Sequence, residues 1–156
     1  MIAVGSDHGG YELKRAIAIH LKQVGVEALD CGCFSTDAVD YPDIVEKTCQ
    51  QVQNGTCTDA ILVCGTGIGV SMAANKMTGI RAALCHSVYD AKMSKQHNNA
   101  NVLCLGARTT SLYDALCMVE AYRSAKFEGG RHKRRVEKIM ALEGNGQKVC
   151  GEENNG

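Results

Sequence analysis

The chain has no tryptophan, two phenylalanines and one proline in 156 residues, and no excess of either charge, with 17 basic and 17 acidic side chains. A balanced surface sets up no global field to draw the protein to nucleic acid or a membrane, although a local basic patch is still allowed. No apolar run is long enough to span a bilayer, and none near the start has the layout of a signal peptide. These absences point to a cytoplasmic protein. Cys31-x-Cys33 has no second pair to match it, so a zinc knuckle is not expected and no metal is assigned. A dinucleotide site would want Gly-x-Gly-x-x-Gly at a strand-to-helix turn and a distal acid, and the glycine spacing here is different. No cofactor is expected.

What is present is ordinary for a globular protein, at 45% hydrophobic and 22% charged residues. The length suits one domain with a full core. That domain is expected over residues 1–142, and the Gly-, Asn-, Glu- and Lys-rich remainder, residues 143–156, as a disordered tail. The nine cysteines are odd in number and mostly lie in apolar stretches, which favours reduced packing thiols over a disulfide framework.

The most informative stretch lies near the middle. Ala60 to Val63 reads as a buried strand ending at Cys64, and three glycines follow, Gly65, Gly67 and Gly69. Val70 to Lys76 is compatible with a short helix. Strand, glycine loop and helix start together make an anion site, because the loop turns tightly and first-turn N–H groups point outward unpaired. A thiol at its lip should ionise more easily. The plainer reading is a tight βα turn with a small buried cysteine.

Apolar periodicity orders the rest. Strands are expected over residues 1–5, 26–31, 80–85 and 101–105, besides the central one. The first helix covers residues 11–24, with Leu13, Ile17, Leu21 and Val24 on one face, and Gly25 ends it. Pro42 suits the first position of a second helix, with Ile44, Val45, Cys49 and Val52 inward. Ser87-x-x-Asp90 resembles a capping box for a helix to about Gln96, and His97-Asn98-Asn99 is its closing turn. Ser111 and Asp114 open a further helix with Leu112, Leu116 and Val119 inward. After Gly129-Gly130 a basic helix runs from Arg131 to Leu142. Five strands alternating with helices predict an α/β, Rossmann-like three-layer sandwich, with a five-stranded parallel sheet and helices on both faces.

In such folds ligands bind beyond the carboxyl ends of the strands, at a topological switch point. Asp7, His8, Tyr41, the Cys64–Gly69 loop and Arg108 can share that crevice. His97 closes a helix running back along the sheet, roughly 15 Å from Cys64 at about 3.3 Å per strand residue. If it acts with Cys64 it must come from a second copy, which predicts a dimer with shared sites. Asp7 could equally be a helix N-cap, and His97 could simply complement a helix dipole. His20 reads as a packed or snorkelling residue and His86 has no evident partner. Arg131-His132-Lys133-Arg134-Arg135 sits at a helix start, where the dipole disfavours cations and where Arg131 and Arg135 repel one turn apart. A bound phosphate dianion would offset both penalties. The alternatives are a solvated basic face or a nucleic-acid patch, the latter weakened by the lack of interleaved aromatics.

Several of these motifs occur together: Gly5-Ser6-Asp7-His8-Gly9-Gly10, Asp40-Tyr41-Pro42-Asp43, Cys64-Gly65-Thr66-Gly67-Ile68-Gly69, Ala73-Ala74-Asn75-Lys76, Gly79-Ile80-Arg81, His97-Asn98-x-x-Asn101-Val102 and Gly129-Gly130-Arg131-His132-x-x-Arg135. Collinear over about residues 1–142, they resemble ribose-5-phosphate isomerase type B. The resemblance implies metal-free, cofactor-free interconversion of ribose 5-phosphate and ribulose 5-phosphate, a step of the non-oxidative pentose phosphate pathway. It implies a base at Cys64, since the glutamate of another branch is replaced here by Val70. It implies ring opening by His97 with Asp7 and Thr66 nearby, and an enediolate held by the amides of Gly65, Thr66, Gly67, Ile68 and Gly69 with Asn98. His8, Arg108, Arg131 and Arg135 match phosphate ligands, and Tyr41 a substrate contact. The implied assembly is a homodimer with sites combining two subunits, with a dimer of dimers as a further step. Gly9 replaces the alanine common in the family. Galactose-6-phosphate isomerase subunits share the fold, so the alternatives are a hexose 6-phosphate isomerase of allose or galactose type and a non-catalytic sugar-phosphate-binding protein.

Overall fold

A computed structural model describes residues 1–147. Its strands are β1 (Ile2–Ser6), β2 (Ala28–Asp30), β3 (Asp59–Cys64), β4 (Ala82–Leu84) and β5 (Val102–Gly106). Its α-helices are α1 (Tyr11–Gln23), α2 (Tyr41–Gln53), α3 (Ile68–Ala74), α4 (Val88–Asn98), α5 (Leu112–Ser124) and α6 (Arg131–Ala141). The five strands form one sheet in the order β2-β1-β3-β5-β4, with every pairing parallel. The expected α/β layering holds. From β1 the sheet grows one way to β2 and the other way to β3, so the switch point lies between β1 and β3.

Alternation along the central strands divides the core into two layers. Ile61 and Val63 join Ile2, Val4, Leu103 and Leu105 against α1, α4 and α5. Ala60, Leu62 and Cys64 join Ala3, Val102 and Cys104 against α2 and α3. Near-continuous apolar strands suit a sheet covered on both faces. Burying each Leu, Ile or Val contributes about 1.5–3 kcal/mol. Because side chains alternate, Cys64 must face the α2/α3 layer.

The boundaries differ from expectation in instructive ways. The short central helix starts at Ile68 rather than Val70, because Gly67 takes φ +76° and turns the chain so that Ile68 is already helical. Pro42 is the second helical residue, since Tyr41 already has helical geometry. Thr48 joins the buried face of α2, where its hydroxyl donates to Ile44 O at 2.7 Å, and Val52 packs partly buried against the same layer. On α5, Leu112 is exposed and Tyr122 is fully buried, its hydroxyl donating to Asp59 Oδ1 and Ala100 O. His97 and Asn98 belong to α4, and the turn is Asn99 alone, with φ +47°. The chain continues past Ala141 in a 3-10 turn, Leu142–Gln147, and Glu143 accepts from Gly79 N–H at 2.9 Å. The tail expected from residue 143 therefore begins with a docked turn, and residues 148–156 lie outside the described residues. None of the described helices is long and apolar enough to cross a membrane.

Candidate active site

Cys64 ends β3 and, though only 5% exposed, lines a crevice of about 440 Å³ together with Asp7, Tyr41, Gly65, Thr66, Ile68, Gly69, Met72 and Arg108. Hydrogen bonding between strand ends builds it. Asp7 N–H donates to Val63 O, Ala107 N–H to Cys64 O at 2.8 Å, and Arg108 N–H to Gly65 O at 2.9 Å. The exits of β1 and β5 are thereby tied to the exit of β3. Gly69 sits so close to the Tyr41 ring that a Cβ there would lie 2.6 Å from it, so glycine is needed for the tyrosine to cover the loop.

The glycine loop is only partly a free cradle. Gly67 N–H donates to Cys64 Sγ at 3.1 Å, and Ile68 N–H to Thr66 Oγ1 at 3.3 Å. The expectation that all amides from Gly65 to Gly69 face a ligand is corrected. Gly65, Thr66 and Gly69 keep N–H groups with no acceptor among the described residues, whereas those of Gly67 and Ile68 are engaged inside the loop. A hydrogen bond to sulfur becomes charge-assisted when the sulfur is a thiolate, so Gly67 holds the thiol in place and suits its ionised form.

Five of the other described thiols are packing groups. Burial pushes Cys49 up to about 12 and Cys85 up to about 11, and Cys31, Cys57 and Cys104 are raised for the same reason. Among the described residues Cys64 is the thiol that lines this crevice.

Asp7 holds both of its expected places, with Oδ1 accepting from Gly10 N–H at 3.0 Å while the side chain borders the crevice. His8 does not line it. Its Nδ1 accepts from Val39 N–H at 3.3 Å, which turns the exposed ring toward the loop before α2. Arg108 lies across the loop, with Nη1 3.1 Å from where a Gly65 Cβ would sit, and has no carboxylate partner among the described residues. His20, outside the site, reaches Glu120 at 2.8 Å and pins α1 to α5.

His97, Asn98, Arg131 and Arg135 are elsewhere. The end of α4 is anchored at the amino end of β3, where Lys95 pairs with Asp59 and also donates to Ala100 O. Cys64 lies five residues on at the opposite end, about 16 Å away along the strand. His97 stacks on His132, ring centroids 4.2 Å apart, beside Glu128. Arg131 and Arg135 are exposed on α6 with no carboxylate partner among the described residues. Asn98 borders a separate hollow of about 530 Å³ with Arg81, Ile139 and Met140, which is somewhat larger than the crevice but holds no nucleophile. Arg81 is read from the sequence only as part of a motif, with no role of its own, and its Nε donates to Asn99 O and so fixes the end of α4. Its side-chain reach carries no sequence signal.

A thiol beside free amides at a switch point, with guanidinium groups that have no carboxylate partner among the described residues, can attract a small anion. The family model described as ribose/galactose isomerase matches residues 2–139. The chain belongs to that family. It is 46% identical over 142 residues to ribose-5-phosphate isomerase B of Escherichia coli, covering 91% of this chain and 95% of that one. It is 44% identical to a probable ribose-5-phosphate isomerase B of Mycoplasma genitalium, covering 91% and 95%. Ribose-5-phosphate isomerase B of Clostridium thermocellum superposes with a TM-score of 0.92 at 49% identity, covering 94% of this chain and 99% of that one. The type B enzyme of Trypanosoma brucei gives 0.87 at 42% identity, covering 90% and 97%.

Proposed function

We propose that this ribose/galactose isomerase family member interconverts ribose 5-phosphate and ribulose 5-phosphate, as a cytoplasmic step of the non-oxidative pentose phosphate pathway. The observation that carries the proposal is that Cys64 lines the crevice, its Sγ accepting from Gly67 N–H, beside the unspent amides of Gly65, Thr66 and Gly69. A hydrogen beside a carbonyl is weakly acidic, so its removal needs a base and stabilisation of the anion formed. His97, as acid, opens the sugar ring with Asp7 and Thr66 close to the ring oxygens. The Cys64 thiolate then takes the C2 proton of the open aldose. The C2–H electron pair forms the C1–C2 double bond, and charge moves to O1, where the free amides and Asn98 receive it. Return of the proton from sulfur to C1, with transfer of the O2 proton to O1, gives the ketose. Tyr41 covers the substrate, and His8, Arg108, Arg131 and Arg135 hold its phosphate.

This division of roles requires two chains. Cys64, Tyr41 and Arg108 come from one subunit, and His97, Asn98, Arg131 and Arg135 from the other end of a second, because about 16 Å of strand separates them within one chain. The working unit is a homodimer with two shared sites, and a dimer of dimers is compatible with it. The domain responsible is residues 1–142. A direct assay of ribose 5-phosphate to ribulose 5-phosphate, wild type beside Cys64→Ala with chelator present, tests the reading. No turnover by the wild type rejects it. Family membership also favours a hexose 6-phosphate substrate, and the ratio of kcat/KM for five- and six-carbon substrates separates the two. A protein that only binds sugar phosphate would show affinity without turnover.

A further inference from the structure

Away from the crevice, three side chains with metal-ligating atoms meet between the end of α4 and the start of α6. Glu128 Oε2 lies 3.8 Å from His97 Nε2 and 3.6 Å from His132 Nε2, and the three ligand atoms all fall within 4.8 Å of one another. These separations are too long for hydrogen bonds. Neither imidazole has a hydrogen-bond partner among the described residues, although His132 is only 7% exposed. Donors bound to a tetrahedral ion at about 2.0–2.1 Å stand about 3.4 Å from each other. The two nitrogen–oxygen separations are within a few tenths of an ångström of that spacing.

We propose that His97, Glu128 and His132 form an inhibitory site for a zinc-type divalent cation, with two imidazoles and one carboxylate as ligands and water in the fourth position. Inhibition, as distinct from binding, rests on the reading of His97 as the ring-opening acid. An ion on His97 occupies the nitrogen that would carry the acidic proton. His132 is fit to ligate because it is nearly buried and no hydrogen bond among the described residues has to be broken for its ring nitrogen to bind an ion. The stacked rings are nearly parallel, at 7°, and an ion sits in the plane of each imidazole that binds it. His97 must therefore turn about its Cβ–Cγ bond, which its position on the last turn of α4, half open to solvent, allows. Arg131 and Arg135 disfavour a cation here, so the three ligands alone supply the affinity.

Cobalt absorption and zinc equilibrium dialysis test the site, on wild type and Glu128→Gln with all cysteines kept reduced. Glu128 is half exposed and lies outside the proposed catalytic groups, and His132→Gln serves as a second ligand variant. The expected difference spectrum between wild type and Glu128→Gln shows ligand-field bands without a thiolate charge-transfer band. Zinc affinity is expected to fall at least tenfold in both variants. Zinc should inhibit isomerisation, chelator should restore it, and Glu128→Gln should resist at least tenfold more zinc with metal-free activity within twofold of wild type. A flat difference spectrum, a charge-transfer band in it, or unchanged zinc affinity overturns the site. Those two readouts need no turnover, so they stand apart from any failure of the isomerase reading. Binding as expected with undiminished turnover overturns the inhibitory role.

Discussion

The two ends of the sheet hold two different kinds of half-site. At the carboxyl end, strand exits bonded to one another crowd Cys64, Asp7, Tyr41 and Arg108 around a loop whose amides are fixed by backbone geometry. At the amino end, His97, Asn98, Arg131 and Arg135 sit on a helix terminus and a basic helix, held by side-chain contacts such as Arg81 to Asn99 O. The first end can stabilise an anion but has no evident proton donor for a sugar ring. The second has an imidazole and spare guanidinium groups but no nucleophile or free backbone amides to match. The lesson is that one chain supplies anion chemistry and acid chemistry about 16 Å apart. On the function proposed above, two chains must meet to combine them.

The strongest way to break this comparison is at Cys64. Cys64→Ala should lower kcat by about 10²–10⁴-fold, the usual contribution of a positioned base, with sugar-phosphate affinity near wild type. A variant keeping more than a tenth of kcat rejects the assignment. Next is complementation. Cys64→Ala and His97→Ala chains should each be inactive alone, and mixing them should restore turnover because a hybrid dimer would contain one intact site. No recovery after confirmed subunit exchange would falsify the shared geometry. Arg131→Ala or Arg135→Ala should then raise KM about tenfold with a smaller change in kcat, since a charge-assisted contact to phosphate contributes about 1.5–3 kcal/mol. Equal KM values in both variants would move the phosphate away from α6.

The smallest effect concerns the scaffold beneath both half-sites. Arg123 first, and then His20, hold Glu120 below the usual carboxylate value, and His20 ties α1 to α5 through it. A lowered folded-state pKa stabilises the protein above the unfolded-state value, near 4.5, and that contribution is lost as pH falls through the lower folded value. Thermal melts between pH 6 and about pH 3 should therefore show a steeper acid loss in wild type than in Glu120→Gln. Parallel curves would mean that the cluster contributes nothing measurable.

Local rules made much of this legible. The apolar run into Cys64, the capping residues Ser87 and Ser111, and the breaks at Gly25 and Gly129-Gly130 are short-range signals, and the structure keeps each of them. Less was legible where a side chain answers to a distant neighbour. Thr48 is inward because it packs beside Gly5, where a Cβ would lie 2.2 Å from its hydroxyl. Tyr122 is inward because Asp59 and Ala100 await its hydroxyl. Neither periodicity nor composition carries that information. The orientation of His8 was not legible for the same reason, since its ring turns to Val39 N–H, thirty-one residues away.

By itself the sequence determined the parallel α/β architecture, the thiol at the strand end and the separation of His97 from it, because periodicity, turn residues and strand rise are local properties. The tertiary structure alone decided which loop amides remain free, that Gly67 points at sulfur, and that His97, Glu128 and His132 converge. Those facts depend on how distant backbone segments and side chains compete for the same partners, and only the packed chain resolves that competition.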